Sequence, residues 1–203
     1  MTEKEDTRKQ VIRQRDALPI DARLQKSQQI CDQLLRESLQ HLDTISANDT
    51  PIIAAYEPMR SEVDVHPFLT AAFERGWHVC LPCMVKDSEN TAAHMVFFEL
   101  AQEQVFEERP AFLDHPARPF LLADLQAQGW REVDESAFDI AVIPMVAFDN
   151  TLMRLGYGGG NYDRFLPKLH PDCFVAGVAF EEQRVDTVPT EPHDLPLPRI
   201  ITA

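Results

Sequence analysis

Apolar positions along the chain recur with two periods, and the alternation between them sets the expected elements. Val11, Ile12, Arg15 and Leu18 have helical spacing in a basic first helix that ends before Pro19. A second helix is expected from Asp21, a candidate cap, to about His41. Leu24, Ile30, Leu34, Leu35 and Leu42 would form its buried face. Residues 46–51 read as a loop, and residues 52–56 as a short apolar strand broken at Pro58. Residues 67–75 read as a helix stopped by Gly76. Strands are expected at 77–82 and 95–100. Pro110, Pro116 and Pro119 leave residues 107–120 without a defined element, and 123–128 reads as helical. The apolar run 138–148 holds a buried strand at 139–143. A short helix at 162–169, a buried strand at 174–180 and a last strand at 199–202 complete the pattern.

Strands alternating with helices, bounded by Pro or Gly, predict an α/β fold with a mostly parallel central sheet and flanking helices. The expectation is a single three-layer domain over residues 1–203 with an N-terminal helical pair. In such sheets ligands sit beyond the carboxyl ends of strands. The loop 57–64 after the first strand and the glycine-rich stretch after a later one would then face one cleft. The helical pair would bring Lys9 and Arg13 to its rim.

That glycine-rich stretch, residues 154–166, reads Arg-Leu-Gly-Tyr-Gly-Gly-Gly-Asn-Tyr-Asp-Arg-Phe-Leu. Four of the seven glycines fall between Gly156 and Gly160, giving a backbone that can take positive φ and approach a ligand closely. A strand, a glycine loop and a helix start aim backbone N–H groups at phosphate. Arg154 and Arg164 bracket the loop with positive charge, and Asp163 adds a hard oxygen ligand. The spacing matches neither the Walker loop nor the dinucleotide fingerprint. A flexible turn between strand and helix is the simpler alternative.

The chain has 203 residues, 44% of them hydrophobic, enough for a buried core. Its net charge of -14 argues against a nucleic-acid or anionic-membrane surface. An anionic ligand would therefore need a local positive pocket, for which Lys9, Arg13, Arg154 and Arg164 are the candidates. No signal-peptide pattern stands out, and no apolar run approaches the ~18 residues of a membrane span. Cys80 and Cys83 have C-x-x-C spacing, but no second pair or matched histidines accompany them, so both read as buried thiols. A reducing, cytoplasmic compartment is expected.

Phe148-Asp149 followed by residues 154–166 resembles the signature of the 5-formyltetrahydrofolate cyclo-ligase family. The similarity extends along the chain. Ile143-Pro144-Met145-Val146-Ala147 is similar to the strand and Pro-turn before the family's loop. Residues 188–194 and 197–202 resemble its C-terminal motif. Glu62-Val63-Asp64 with Pro67 resembles its early substrate loop, and Lys9 with Arg13 its N-terminal basic pair. The chain departs from the pattern at Asn161, where an aromatic residue is common, and at Val65, usually polar. It also lacks the Trp-containing strand and the Glu-Pro pair of the family's middle region.

The resemblance implies an ATP-dependent ligase that activates the formyl oxygen of 5-formyltetrahydrofolate and closes the ring to 5,10-methenyltetrahydrofolate. It implies ATP bound by Lys9, Arg13, Arg154, Gly156, Tyr157, Gly158, Gly159, Gly160, Asn161 and Tyr162. It implies Mg²⁺ on Asp163 and Asp194, folate held by Glu62 and Tyr162, and catalytic parts for Tyr162 and Arg154. A small-molecule folate substrate, with or without a polyglutamate tail, and a monomer without nucleic-acid or membrane partners go with it. Two other readings stand beside it: an ATP-dependent enzyme of the same fold acting on another formyl or amide compound, and a nucleotide-binding regulatory protein without turnover. Simpler roles also remain open. Lys9 and Arg13 can decorate a solvated helix face. Asp163 can serve a helix dipole, and Asp194 a turn.

Overall fold

The computed structural model describes residues 2–44, 50–191 and 194–203, so most of the loop expected at 46–51 lies outside the described residues. Helix α1 (Glu3–Asp16) opens on a reciprocal capping box. The Thr2 hydroxyl accepts from the Glu5 amide at 3.3 Å, and the Glu5 carboxylate accepts from the Thr2 amide at 3.0 Å. Helix α2 (Ile20–Leu42) starts one residue before Asp21, which sits in its first turn and not at the cap. The chain continues through β1 (Ile52–Ala54), α3 (His66–Glu74), β2 (His78–Lys86) and β3 (His94–Leu100). Next come α4 (Ala111–Asp114), β4 (Phe120–Leu121), α5 (Leu122–Ala127) and β5 (Ile140–Pro144). The remainder is β6 (Ala147–Phe148), β7 (Arg154–Leu155), α6 (Asn161–Phe165), β8 (Phe174–Ala179) and β9 (Ile200–Thr202).

The main sheet has the order β3-β2-β1-β5-β8-β9, with β4 also paired to β2. All its pairings are parallel except β2 with β3. The expected α/β class with a mostly parallel sheet and flanking helices is therefore what the chain forms. Strand β2 runs past the expected stop at Pro82. On the flank away from β3, β1 pairs only as far as Cys80 and β4 begins only at Val85. Pro82 falls between them, where its missing N–H leaves no ladder bond unmade. Met84 and Pro82 thus border a gap in the sheet, and that gap is where the pocket opens.

Burial follows the two faces. Ile30 and Leu34 of α2 pack with Phe68 and Leu69 of α3 over Ile53, Val79, Ile140 and Val142. Helix α2 is a principal layer of the core and not an outer addition, although Leu24, expected on its buried face, is exposed. The opposite face is covered by Phe97, Phe138 and Phe165, whose rings meet at 4.7 to 5.9 Å. A Cβ on Gly177 of β8 would stand 2.3 Å from Met145 Cε and 2.6 Å from Leu197 Cδ1, so any larger residue would have to displace both side-chain ends.

The glycine loop does not follow β5 directly. The apolar run breaks at Pro144, and an antiparallel hairpin of β6 and β7 intervenes. Buried Asp149 builds its turn. One carboxylate oxygen accepts from the Thr151 amide at 2.8 Å, the Thr151 hydroxyl at 2.6 Å and the Met153 amide at 3.3 Å. The other accepts from the Val188 amide at 2.8 Å, which ties down the C-terminal strap. Gln183 fixes the same corner, donating to the Met145 carbonyl at 2.8 Å and the Val146 carbonyl at 3.0 Å. The α1 residue Val11 packs into the apolar cluster beneath the hairpin, with Val146, Leu155 and Val188.

Candidate active site

A cavity of about 360 Å³ opens at the carboxyl ends of β1 and β5 and along the second half of β2. The loop after β1 contributes Tyr56, Glu57, Met59 and Glu62. The strands contribute Pro82, Met84, Met95 and Pro144. The glycine loop from Arg154 to Asp163 forms a third side, and Glu191 and Asp194 a fourth. The two loops expected to share a cleft do share one, as strand-end geometry requires.

The basic pair from α1 is a different pair from the one expected. Lys4 and Arg8 line the pocket. Lys9 and Arg13 border a separate shallow hollow with Asp6, Gln10 and Gln14. The cause is helical phase. At 3.6 residues per turn, Lys4, Arg8, Val11 and Arg15 share one face, and Lys9 and Arg13 lie roughly opposite. Val11 and Arg15 are the buried residues of α1 and so turn Lys4 and Arg8 inward. Both pairs have the same i, i+4 spacing; the signal that separates them is the phase of Val11 with the cap at Thr2.

Arg8 donates from Nε to the Gly156 carbonyl at 2.7 Å, and its guanidinium lies 3.4 Å from where a Gly158 Cβ would stand. Gly158 takes φ +101° and Gly160 φ +63°, so the loop needs glycine at both. Arg164 points back at the loop, donating to the Gly159 carbonyl at 2.9 Å and to Asn161 Oδ1 at 2.7 Å. The Asn161 amide donates to the thioether of Met84 at 3.3 Å. Arg154 is buried on β7 and donates to Asp163 Oδ1 at 2.7 Å. Its Nε is buried without a partner. Lys4 pairs with Asp194 at 2.7 Å and with Glu191 at 3.0 Å, and Asp194 also accepts from the Glu191 amide at 2.8 Å. Pro192 and His193, within the C-terminal motif, lie outside the described residues.

Glu62 is the unusual acid of the site. Only 7% of it is exposed. Its Oε2 accepts from the Met59 amide at 2.8 Å, while Oε1 is buried without a hydrogen bond of normal geometry. Burial raises its pKa; the Met59 amide, Arg15 and the Tyr157 hydroxyl oppose that rise. Burial and the nearby Glu62 charge push the Tyr162 pKa far up, with Arg154 opposing, so its hydroxyl stays protonated. Glu57 is clamped by Arg109 Nη2 at 2.8 Å and His66 Nε2 at 3.2 Å. His66 also meets Asp64 at 3.0 Å. Burial lowers the His66 pKa, but the two carboxylates outweigh it and hold it at about 9.

Sequence reasoning brought Arg154, the residues from Gly156 to Asp163, Glu62 and Asp194 to this pocket. It missed Lys4, Arg8, Met84 and Met95, and it reached Glu57 and Met59 only as part of the loop 57–64. The missing tryptophan of the middle strand has no counterpart in the pocket. Trp130 packs in the core against Phe98 and Phe112, and Met95 faces the cavity from β3. Cys80 and Cys83 are buried in different apolar clusters, with pKa values pushed up to about 12 by burial, which leaves them inert as nucleophiles. No group of three His, Cys, Asp or Glu placed to hold a metal occurs among the described residues. Asp163 and Asp194 both lie on the pocket wall, where they pair with Arg154 and Lys4. No described helix is long and apolar enough to cross a membrane.

Fold and pocket together define an α/β protein with a small-molecule cleft, walled by glycine-loop amides and cations on one side and a buried carboxylate on the other. The model of the 5-formyltetrahydrofolate cyclo-ligase family matches residues 1–203, and the chain belongs to that family. It is 27% identical over 154 residues to the 5-formyltetrahydrofolate cyclo-ligase of Escherichia coli K12, covering 74% of this chain and 76% of that one. It is 47% identical over 60 residues to the Haemophilus influenzae protein of the same name, covering 29% and 32%. The fold is that of a 5,10-methenyltetrahydrofolate synthetase from Mycoplasma pneumoniae, with a TM-score of 0.70, 23% identity and 98% of both chains covered.

Proposed function

We infer that the chain converts 5-formyltetrahydrofolate to 5,10-methenyltetrahydrofolate with cleavage of ATP to ADP and phosphate. The observation that carries this reading is the meeting of two unlike half-sites in one pocket: a cationic glycine loop, and a buried Glu62 whose Oε1 has no hydrogen bond of normal geometry. The formyl oxygen bonds to the γ-phosphorus as the bond to ADP breaks. The N-10 amine then adds to the activated formyl carbon and loses its proton. The carbon–oxygen bond to phosphate breaks, leaving the methenyl bridge. The protein's contribution to such a transfer is positioning and charge neutralisation.

Each residue has a part in that scheme. The amides of Gly156 to Gly160 face the phosphates, and Lys4, Arg8 and Arg154 offset their charge. Glu62 Oε1 accepts from ring N–H groups of the pterin. The protonated Tyr162 donates near the formyl group. Met59, Met84 and Met95 give the folate rings an apolar, polarisable wall. Asp163 and Asp194 would hold Mg²⁺ beside the phosphates; the ion supplies charge neutralisation there. Lys9 and Arg13 have no part. We read the chain as one catalytic domain, since its sheet draws strands from residues 52 to 202. A cytoplasmic monomer is our reading of its setting, supported for the compartment by four free cysteines.

Isotope transfer tests the reading. With heavy oxygen in the formyl group, the label is expected in the released inorganic phosphate. Product formed with unlabelled phosphate would overturn the mechanism. Phosphate released without methenyl product would favour another substrate.

A further inference from the structure

We propose that Arg15 is a positioning residue that couples the two halves of the pocket, so that nucleotide on the glycine loop tightens the grip on folate. The inference rests on the functional reading above. Arg15 is 1% exposed and lies in the last turn of α1, outside the pocket lining. A guanidinium so deeply buried is costly unless its donors are used. Nε donates to the Ser61 hydroxyl at 3.0 Å, and Nη2 donates to the Tyr157 hydroxyl at 2.8 Å. Nη1 is buried without a partner. Ser61 in turn donates to Asp16 and directly precedes Glu62. Tyr157 stands between Gly156 and Gly158 in the glycine loop.

One planar fork therefore touches the phosphate loop on one side and the folate loop on the other. A lysine could not do this, because a point charge on a flexible stem lacks two fixed donor directions. The Tyr157 hydroxyl closes the triangle, since it also helps keep the Glu62 carboxylate charged. The phosphate loop is the more exposed side. Its main chain turns on Gly158 at φ +101° and Gly160 at φ +63°, and Tyr157 is 45% exposed. Phosphates gathered by the loop amides fix residues 156–160 and thereby Tyr157. The fixed hydroxyl holds Arg15, and Arg15 holds Ser61 and the carboxylate beside it. Energy passed along this path must be reciprocal, so folate tightens nucleotide by the same factor.

The readout is the ratio of folate affinities measured without and with a non-hydrolysable ATP analogue, by fluorescence titration of 5-formyltetrahydrofolate. The unaltered protein is expected to show a ratio of roughly tenfold, within the usual range of coupling between sites. Tyr157→Phe keeps the ring and removes one hydroxyl; Arg15→Met keeps the stem and removes the fork. Both are expected to bring the ratio below about threefold, and the double variant to bring it no lower than either alone. A residue of purely structural importance would weaken each ligand alone and leave the ratio intact. A ratio unchanged in Tyr157→Phe, or a ratio near one in the unaltered protein, overturns the coupling while leaving the enzyme reading standing. Failure of either ligand to bind the unaltered protein overturns both.

Discussion

Glu62→Gln separates binding from stability in a way that a merely structural acid would not. In the free protein Glu62 Oε2 already has the Met59 amide at 2.8 Å, which a glutamine carbonyl can accept equally well. What changes is the buried Oε1, which has no hydrogen bond of normal geometry and becomes an amide N–H₂. Burial raises the Glu62 pKa, so the charged carboxylate is disfavoured in the fold relative to the unfolded chain. Removing that charge leaves the protein as stable or more stable at neutral pH. In the complex, the same change replaces a charged acceptor with a donor facing the ring N–H groups. A hydrogen bond to a charged group contributes about 1.5–3 kcal/mol. At about 1.4 kcal/mol per tenfold, folate affinity should fall by roughly ten- to a hundredfold. Calorimetric titration with 5-formyltetrahydrofolate and with an ATP analogue, beside a urea denaturation curve, checks all three quantities. A change in folate affinity under about threefold, or an equal loss of ATP affinity, would refute the assignment.

Arg8→Ala should weaken ATP-analogue binding by about tenfold or more, given the net worth of a charged hydrogen bond; Arg13→Ala should change it less than about twofold, and equal losses in the two would contradict the helical phase. Asp149→Ala strands the amides of Thr151, Met153 and Val188, and should cost about 3 kcal/mol in urea denaturation. Burial raises the Asp149 pKa, but its hydrogen bonds outweigh that and leave it lowered, so its stabilisation is present above the unfolded pKa and disappears as pH falls below about 4. His66 has the opposite sign. Its pKa rises from 6.5 to about 9 on folding, so its stabilisation is full below pH 6.5 and fades up to about 9. Denaturation curves across that window should flatten in His66→Gln, and an unchanged slope would count against the Glu57–His66–Asp64 cluster.

The main sheet was legible because its strands are short apolar runs between Pro and Gly, and such runs mark buried parallel strands. The glycine loop was legible because four glycines in five positions, with Tyr162 and Asp163 after them, have no use in a plain turn. Other features depended on three-dimensional context. Pro82 looked like a strand end, and only the gap between β1 and β4 makes it tolerable within β2. Strand β6 was hidden in the run 138–148, and its partner β7 is the two residues that lead into the glycine loop. The strands of the hairpin are two residues each, and its turn is held by the buried Asp149, a common turn residue whose carboxylate accepts from the Thr151 amide. The basic pair was misassigned because identical i, i+4 spacing occurs twice on α1. Val11 and the buried Arg15 fix the phase; Val11 is a single apolar position, and burial of a charge such as Arg15 is not written in local sequence.

The account's central claim is that the glycine loop and Glu62 serve one ATP-dependent ring closure. Following the near-ultraviolet absorbance of the methenyl product in a mixture of the protein, Mg-ATP and 5-formyltetrahydrofolate tests it most directly. The account predicts growth of that band only with ATP present, with one ADP released per methenyl group formed. A flat trace from protein that binds both ligands, or growth of the band without ATP, would contradict it.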